Sequence, residues 1–546
     1  MVKIINKIPL YPFLISVYPI LYLLSVNVEE IGPEAGLRSG LLLLVFSLVT
    51  FGVSLLVTRT PRVSALVSLS VTLAFFLVFF LLYAPAYRAL REVQISGETL
   101  GRHRYLVTIT FLLLAAVGAF STWLSKKLKP KSLKSITLVL NTLSIILVMI
   151  PALTMILQMI RNRQNTTQAQ ASLPPLEDSI GTLPNNAPDI YYLIFDMHTN
   201  DQVMRALMDY DNSEFTNALA DRGFYIAPCS RSNYANTQFS ITSSLNMNYI
   251  QALSDSYELA ALLPLVQSSL VQRTLEDAGY QTYAFETGYP FTELRQVDRY
   301  YAPVEGAVDL ITYPGLTPFE SLVMQVSAGK ILYESREQLS QKMQFILDAP
   351  YVQYRDRILY TLDTIPDLAT EPGPKFVFAH ILAPHDPFVF DEDGSTTFRR
   401  TPFQMDKDPE FGKGYGWEPY KAGYIEEIKY LHKRILEIVD TLQANSVTPP
   451  VIIIQGDHGL PRLGLVNAQY EIYNAYYPGT ADTSFLYETV TPVNTFRLLF
   501  NALFGTSYEL LPEESYQLGE DGVFSQFEID KSCPAQFQSL PGSGED

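Results

Sequence analysis

Cysteine is scarce in this sequence of 546 residues, which contains only two. Two cysteines exclude a scaffold built from several disulfides. Charged residues make up only 17% of the chain, which excludes a disordered, highly charged tail protein. Lys and Arg number 39 against 56 Asp and Glu, so the chain lacks the basic excess expected of a general nucleic-acid binder. The length allows roughly two to four domains.

Long apolar runs dominate the first 160 residues. Each has close to the ~20 residues that cross a ~30 Å hydrocarbon core as a helix. None contains an acidic residue or a lysine, and the one arginine, Arg38, lies at the edge of its run. We therefore predict five transmembrane helices. A cleaved signal peptide is the alternative for the first run, but that run has no clear small-x-small cleavage site. The runs cover residues 9–26, 37–57, 63–84, 105–124 and 136–160.

The charges between these runs predict their orientation. Residues 126–134 hold five lysines, whereas residues 29–34 hold three glutamates. The positive-inside rule then places the N-terminus in the cytoplasm and everything beyond residue 160 outside it, in a protein of the plasma or inner membrane. Residues 1–163 carry a formal charge of +11, and the remainder carries −28. No ionisable residue lies at membrane depth, so these helices are expected to anchor the chain in the lipid bilayer rather than to conduct ions.

The rest of the chain predicts an α/β domain. Polar residues and prolines over 161–187 predict an extended linker, and residues 188–546 form the predicted extracytoplasmic domain. Short apolar runs there predict strands, and an amphipathic helix is predicted over 424–443. This alternation predicts a mostly parallel central sheet covered by helices on both faces, with ligands at the carboxyl ends of its strands. The predicted strands are residues 189–195, 281–286, 375–382 and 451–455.

Acidic and histidine side chains follow three of these strands. Asp196 ends the first strand, and Asp457 and His458 follow the last, flanked by glycines. His380 and His385 lie on and after the third. Carboxylate and imidazole are ligands that suit a divalent cation. Each pair alone is more typical of a turn, but together they favour a metal site.

Thr237 is a candidate nucleophile. Asn236 and Thr237 mark a predicted helix start, where the helix dipole and free N–H groups favour an anionic phosphate or sulfate group. Metal coordination would lower the pKa of the hydroxyl and activate it. An ordinary capping threonine is the simpler alternative for this segment alone.

These motifs in combination resemble the alkaline phosphatase/sulfatase superfamily. The resemblance depends on Asp196, Thr237, the Ala-Pro-His-Asp-Pro-Phe sequence at 383–388 and the Gly-Asp-His-Gly sequence at 456–459. Five apolar spans followed by such a domain resemble lipoteichoic acid synthase and the lipid A phosphoethanolamine transferases. The resemblance covers residues 188–504, and in the spans it is architectural only.

The resemblance implies a role for each matched residue. Asp196, Asp457 and His458 would hold a divalent metal (Mn²⁺, Zn²⁺ or Mg²⁺), and Thr237 would be both ligand and covalent nucleophile. His385 would hold the transferred group or help the leaving group depart. By position beside the motifs, we also expect Arg231 and Arg462 to bind a phosphate or sulfate oxygen.

Two departures favour phosphate chemistry. The Cys-x-Pro-x-Arg signature, source of the sulfatase formylglycine, is missing, and Met197 stands where many sulfatases have a second acid. We therefore expect a membrane-anchored, metal-dependent phosphotransferase or hydrolase acting on a lipid-linked or cell-envelope glycan substrate. The alternatives are a sulfatase-like ester hydrolase and a non-catalytic scaffold on a decayed enzyme domain. Cys229 and Cys533 form either a disulfide or two buried thiols.

Overall fold

A computed structural model of the chain divides into two compact units. The first, named the membrane unit, comprises residues 1–161, 307–350 and 399–404, and the second, named the sheet unit, comprises residues 162–306, 351–398 and 405–546. The structure describes residues 8–28, 31–90, 93–95, 98–99, 103–171, 173–176, 180–181, 183, 186–303, 314–397, 401–403, 417–460, 467–519, 521–527 and 533.

Apolar helices form the first part of the membrane unit. A 3-10 turn over Pro33–Gly36 and a π-helical stretch over Leu77–Leu82 interrupt them, and a small hairpin follows the third apolar span. The helices are α1 (Tyr11–Val26), α2 (Leu37–Thr58), α3 (Pro61–Phe76), α4 (Tyr83–Leu90), α5 (His103–Lys126) and α6 (Pro130–Ala171), and the hairpin strands are β1 (Gln94–Ile95) and β2 (Glu98–Thr99).

The predicted helical membrane domain is confirmed. The stretches Pro33–Thr58, Pro61–Leu90, Tyr105–Lys126 and Pro130–Gln168 are long and apolar enough to cross a bilayer, and the fifth helix, α1, is apolar but has 16 residues. Their large aliphatic side chains are mostly exposed, as expected of surfaces that face lipid tails. Small polar side chains are buried between the helices instead, where they allow close packing, and they include Ser47, Ser64, Ser68, Thr72 and Asn141.

The predicted linker begins later than expected, because α6 continues through its first residues to Ala171. Residues 161–171 contain Arg, Gln and Ala, which favour helix, and the first proline comes only at Pro174. Side-chain hydrogen bonds also hold this last part of α6 in place. Asn165 donates to Glu258 Oε2 at 3.1 Å, and Thr166 donates to the carbonyl of Ala260 at 3.3 Å. The polar composition of this stretch therefore marks a surface helix, not an extended chain.

Seven strands form the central sheet of the sheet unit, in the order β4-β9-β8-β3-β7-β5-β6. The five strands from β8 to β6 are parallel, and β9 pairs antiparallel with both β8 and β4, which confirms the mostly parallel sheet. The strands are β3 (Ile190–Phe195), β4 (Tyr225–Ile226), β5 (Gln281–Phe285), β6 (Arg299–Tyr301), β7 (Lys375–Ile381), β8 (Val451–Gly456) and β9 (Asn474–Pro478), and a separate hairpin has β10 (Tyr516–Leu518) and β11 (Phe524–Gln526).

Helices alternate with these strands and cover the sheet. Every residue of β3, β7 and β8 is buried, which requires cover on both faces of the sheet. The helices after β3 are α7 (Asp201–Met208), α8 (Ser213–Asp221), α9 (Thr237–Leu245), α10 (Ile250–Leu253), α11 (Leu259–Gln267), α12 (Leu270–Ala278), α13 (Pro318–Gln325), α14 (Lys330–Glu334), α15 (Gln341–Thr364), α16 (Trp417–Asn445) and α17 (Pro492–Phe504), of which α13, α14 and the start of α15 belong to the membrane unit.

One part of the chain between β6 and β7 belongs to the membrane unit. Residues 314–350, named the returning segment, contain α13, α14 and the start of α15. By sequence pattern alone, these residues are predicted to be part of the extracytoplasmic domain. These helices are short, and it is their contacts with residues nearer the start of the chain that distinguish them from the helices of the sheet unit.

The two cysteines form a disulfide. Cys229 and Cys533 have Cα atoms 5.7 Å apart and close a loop with a sequence separation of 304 residues. Of the two alternatives left open by the sequence, the structure therefore has the bridge. It ties the C-terminal part of the sheet unit to the segment that precedes α9.

Removal of this bridge is expected to lower stability by roughly 2–5 kcal/mol, because the unfolded chain gains the freedom of a long loop. We expect Cys229→Ser, Cys533→Ser and the double variant to have the same lowered midpoint of thermal unfolding. The denatured wild-type protein should show no reactive thiol under non-reducing conditions. A wild-type midpoint in Cys533→Ser would contradict a stabilising disulfide.

Candidate active site and metal centre

Two carboxylates and an imidazole meet at the carboxyl ends of β3 and β8. These strands pair in parallel with Phe195 opposite Gly456, so the next residues, Asp196 and Asp457, leave the sheet side by side. One ligand atom from each of Asp196, Asp457 and His458 lies within 4.8 Å of the other two, and all three residues are buried. The predicted metal ligands are thus brought together.

Backbone donors fix the carboxylate of Asp457. Its Oδ1 accepts from the N–H of Met197 at 3.1 Å and from the N–H of His458 at 2.8 Å. Met197 has a positive φ of 63°, which is uncommon for a residue other than glycine and is a form of strain found at functional sites. With Oδ1 held by two donors, Oδ2 is the atom left for a ligand.

The hydrogen bonds of His458 define which ring nitrogen is available. Nδ1 lies 2.9 Å from the carbonyl of Gly459, so it carries the proton and donates. The lone pair of Nε2 then points toward Asp196 Oδ1 at 3.6 Å, Asp457 Oδ2 at 3.7 Å and Thr237 Oγ1 at 3.3 Å. A backbone carbonyl that orients a ligating imidazole in this way is common in metal sites.

The glycines beside these two residues are required by close backbone approaches. A Cβ atom at Gly456 would lie 2.2 Å from the carbonyl oxygen of His198, and one at Gly459 would lie 2.1 Å from that of Ala468. Both distances are shorter than any normal contact with backbone. The Gly-Asp-His-Gly sequence therefore reflects packing as well as chemistry.

Thr237 begins α9, as predicted, and the backbone of the residue that follows β8 fixes this helix end. Ser240, in the first turn of α9, donates to the carbonyl of Asp457 at 2.6 Å, and Ser232 donates to the same oxygen at 2.7 Å. Thr237 itself is buried, and its Oγ1 lies 3.3 Å from Nε2 of His458. The hydroxyl therefore lies with the three metal-ligand candidates at the positive end of the α9 dipole.

The donor set fits a divalent cation. Asp196 Oδ1, Asp457 Oδ2 and His380 Nε2 are buried and have no hydrogen-bond partner within the part of the chain that the structure describes. Burial and the neighbouring charge of Asp457 raise the pKa of Asp196 well above its usual value. Burial opposes the ionisation of Asp457 as well, but the nearby His458 and His380 lower its pKa. A cation bound by these oxygens and nitrogens would satisfy all of these groups.

His380, a candidate from its place on a predicted strand, lies beside this cluster of ligand atoms. It lies in β7 opposite Ile194, its Nδ1 lies 2.9 Å from Thr292 Oγ1, and its Nε2 lies 3.7 Å from Asp196 Oδ2. Burial lowers its pKa to about 4. The sequence signal for this residue is its position one residue before the end of a strand that neighbours β3.

His385 lies in the loop after β7, and buried polar groups hold that loop. Its Nδ1 lies 2.6 Å from the carbonyl of Asp386. Tyr354 donates to the carbonyls of Leu382 and, at 3.1 Å, of His385. Asp386 contributes to the raised pKa of Asp196. His385 contributes to the lowered pKa of His380. The loop is therefore electrostatically part of the site.

Glu427 fixes the same loop further along. It is fully buried in α16, and its Oε2 accepts from the N–H of Val389 at 2.6 Å and of Phe390 at 3.2 Å. A carboxylate that accepts two backbone N–H groups makes charge-assisted bonds, which are stronger than neutral ones. The position of the His385 loop thus depends on an acid 42 residues away, which the sequence pattern did not identify.

Arg231 and the remaining histidines lie outside this cluster of ligand atoms. Arg231 is buried, and its Nε donates to Glu471 Oε1 at 2.7 Å, so its role in anion binding stays a prediction. His198, which the sequence left ambiguous, lies with Nε2 3.0 Å from Nε2 of His432, whose ring stacks on Phe215. Arg462 lies outside the described residues.

The comparison with known families agrees with these motifs. A family model described as Sulfatase matches residues 208–492, more than half of the chain. The chain belongs to the sulfatase family. It is a sulfatase-family enzyme of the alkaline phosphatase superfamily, as the sequence analysis predicted. Thr237, His385, Asp457 and His458 lie within the matched range, and Asp196 precedes it.

Solved structures that align with this sulfatase-family enzyme share little sequence with it. The C-terminal periplasmic domain of EcEptC from Escherichia coli, in complex with Zn, is 13% identical with a TM-score of 0.38, over 60% of this chain and 84% of that chain. Lipooligosaccharide phosphoethanolamine transferase A (EptA) from Neisseria meningitidis is 14% identical with a TM-score of 0.33, over 87% and 88%. No curated protein matches this chain by sequence.

Removal of one ligand carboxylate is expected to abolish metal retention. Asp196→Asn and Asp457→Asn should each weaken divalent-metal affinity by more than about tenfold, since even outer-sphere changes cost that much. Elemental analysis of the purified full-length proteins measures the bound metal. Asp201→Asn is the matched control, because Asp201 is not one of the clustered metal-ligand candidates. Its carboxylate accepts hydrogen bonds from Asn212 at 2.7 Å and from Thr216 at 2.6 Å. Equal metal content in all four proteins would contradict the site.

Loss of the Glu427 carboxylate is expected to destabilise the sheet unit. Glu427→Ala leaves two buried N–H groups without this acceptor, which should lower the free energy of unfolding by about 2–4 kcal/mol. Glu437→Ala on the same helix should change it by less than about 0.5 kcal/mol, because Glu437 is exposed. Thermal unfolding of the purified proteins distinguishes the two, and equal midpoints would show that the loop does not depend on Glu427.

Proposed function

We propose that this chain is a membrane-anchored, divalent-metal-dependent phosphotransferase or phosphodiesterase with Thr237 as its covalent nucleophile. The observation that carries the proposal is the position of the Thr237 hydroxyl. It lies at the start of α9, 3.3 Å from His458 Nε2, among the buried ligand atoms of Asp196, Asp457 and His458. A capping threonine without a chemical role would not need such a setting.

The residues of the chain support an in-line displacement. Thr237 Oγ1 attacks phosphorus, and its proton passes to the nearby carboxylate of Asp457. The bond between phosphorus and the leaving oxygen breaks, and His385 donates a proton to that oxygen. An acceptor hydroxyl or a water molecule then attacks the phosphorus of phospho-Thr237, and the threonine leaves with a proton.

A metal held by Asp196, Asp457, His458 and Thr237 would supply Lewis-acid stabilisation of the charge that develops on the phosphoryl oxygens. The chain itself contributes positioning. Two backbone N–H groups hold the Asp457 carboxylate, and the Gly459 carbonyl orients His458. Burial excludes water from these groups, which strengthens their interactions with a charged phosphoryl group. Mn²⁺, Zn²⁺ and Mg²⁺ are the candidate ions.

Phosphate is favoured over sulfate by the nucleophile. The chain has threonine at the helix start and no Cys-x-Pro-x-Arg signature, so it cannot form the formylglycine of sulfatases. Hydrolysis of a sulfate ester remains the second candidate, because the matched family is that of the sulfatases. A non-catalytic scaffold is disfavoured by the intact set of four ligand and nucleophile residues.

The membrane helices favour a lipid-linked or cell-envelope glycan substrate. A tethered enzyme meets substrates at the bilayer, whereas a soluble substrate requires no anchor. The disulfide between Cys229 and Cys533 supports an extracytoplasmic sheet unit, since such bonds persist in oxidising compartments. The basic segments between the apolar helices support the same orientation in a plasma or inner membrane.

Removal of the nucleophile tests the proposal directly. Thr237→Ala should lower kcat for an artificial phosphodiester by about a thousandfold or more, because a displacement without its nucleophile keeps only residual binding effects. Intact-mass analysis after reaction should show one phosphoryl adduct on the wild type and none on the variant. The assays contain Mn²⁺, Zn²⁺ or Mg²⁺ in turn, with a sulfate ester as a parallel substrate.

Thr242→Ala is the matched control for this experiment. Thr242 is buried in the same helix, but its hydroxyl donates to the carbonyl of Gln238 at 2.5 Å. The control should keep wild-type activity within about twofold. Equal activity of Thr237→Ala and the wild type would refute the proposed nucleophile, and cleavage of the sulfate ester alone would favour the second candidate.

A further inference from the structure

The returning segment exposes an unusual share of apolar surface. Of the nine large apolar side chains exposed beyond residue 171 in the described part of the chain, four lie in this segment. Phe345 is 56% exposed and Val326 is 48% exposed. Clustered exposure of this kind marks a binding surface for protein or membrane. The four side chains are Val326, Leu332, Met343 and Phe345.

An apolar contact ties this segment to the membrane helices. Phe319 of α13 is buried in a cluster with Ile20 and Leu24 of α1 and Met155 of α6. Val323, one turn further along α13, packs against the same cluster. The segment is therefore part of the hydrophobic core of the membrane unit and not a loop that passes near it.

Polar contacts reach three more helices of the same unit. Glu320 forms an ion pair with Arg38 at the start of α2, and its Oε1 accepts from Arg38 Nε at 2.6 Å. The N–H of Ala328 donates to the carbonyl of Phe79 at 2.7 Å, within the π-helical stretch. Ser335 Oγ lies 3.3 Å from Nε2 of His103 at the start of α5.

These contacts are all at one end of the helix bundle. They involve the last turns of α1, the start of α2, the end of the third apolar span, the start of α5 and the second half of α6. In a chain that crosses back and forth, these five positions lie on the same side. The returning segment therefore lies where the apolar helices leave the hydrocarbon core, at the level of an interface between lipid and water.

The segment is internally fixed as well. The N–H of Leu316 donates to the carbonyl of Ile346 at 3.0 Å, and Tyr333 donates to the carbonyl of Leu347 at 3.0 Å. Arg336 forms an ion pair with Asp348. These bonds hold the start of α15, with Met343 and Phe345, against α14, so the exposed apolar side chains form part of one ordered element.

We propose that the returning segment is an interfacial membrane element, whose exposed Val326, Leu332, Met343 and Phe345 insert into the headgroup region of the adjacent leaflet. Lipid is the expected occupant because the segment packs against α1 and α6, whose own aliphatic side chains are largely exposed. Lys330 and Lys342 lie beside these side chains in sequence and can reach lipid phosphates while their stems contact apolar groups. The proposal goes beyond the reaction proposed above and does not depend on it.

Fluorescence quenching by brominated lipid tests this contact without a substrate. Trp123→Phe and Trp417→Phe remove the two natural tryptophans, and Leu332→Trp or Phe345→Trp is then added to the full-length protein. The proteins are reconstituted in phosphatidylcholine vesicles with and without bromine near the headgroup end of the acyl chains. Bromine should lower the fluorescence about twofold or more, because an interfacial helix lies about 5–10 Å into this region.

Two control proteins give the quenching expected of a tryptophan outside the bilayer and of one inside it. Val447→Trp in the same background places the fluorophore at a fully exposed apolar position of the sheet unit, and bromine should lower its fluorescence by less than about a tenth. A protein that keeps only Trp123, in α5, reports insertion of the membrane unit. Quenching at residues 332 and 345 no greater than at 447, in vesicles where Trp123 is quenched, would overturn the proposal and favour a protein partner for this surface.

Discussion

β3 pairs in parallel with β8 on one side and β7 on the other, with Phe195 opposite both Gly456 and Ile381. Because side chains alternate and strands end together in this register, the first residues after β3 and β8 leave the sheet at the same edge. A shift of one strand by a single residue would turn Asp196 or Asp457 to the wrong side. The candidate metal site therefore depends first on strand register, and these largely apolar strands are buried along their whole length.

The electrostatics of the site follow from this pairing. Two carboxylates brought together in a buried place repel each other, and burial of either charge is costly without a partner. The structure offsets part of this cost for Asp457 through two backbone N–H groups, but it leaves Asp196 with a raised pKa. Asp196 and Asp457 can both be ionised in this buried place only if a cation lies between them. The geometry therefore indicates a metal site and not a hydrogen-bonded core.

The sequence predicted the parts of this arrangement that depend on local pattern. Apolar strands, the residues that follow them and the helix start at Thr237 are all visible as short-range signals. The environment of His380, the buried Glu427 and the pairing of Arg231 with Glu471 depend on partners far along the chain. No periodicity marks such contacts, because the partners lie far apart in the sequence and meet only in the folded chain. The disulfide between Cys229 and Cys533 stayed open for the same reason.

Arg38 has a partner that lies very far from it in the sequence. In the sequence it is a lone cation at the edge of an apolar run, a position that costs free energy unless its charge is paired or reaches water. Its partner, Glu320, lies 282 residues further along the chain and also completes a capping box with Thr317 at the start of α13. The same carboxylate thus begins a helix and binds a membrane helix. The apolar helices are therefore more than an anchor, because they form the surface on which a later part of the chain folds.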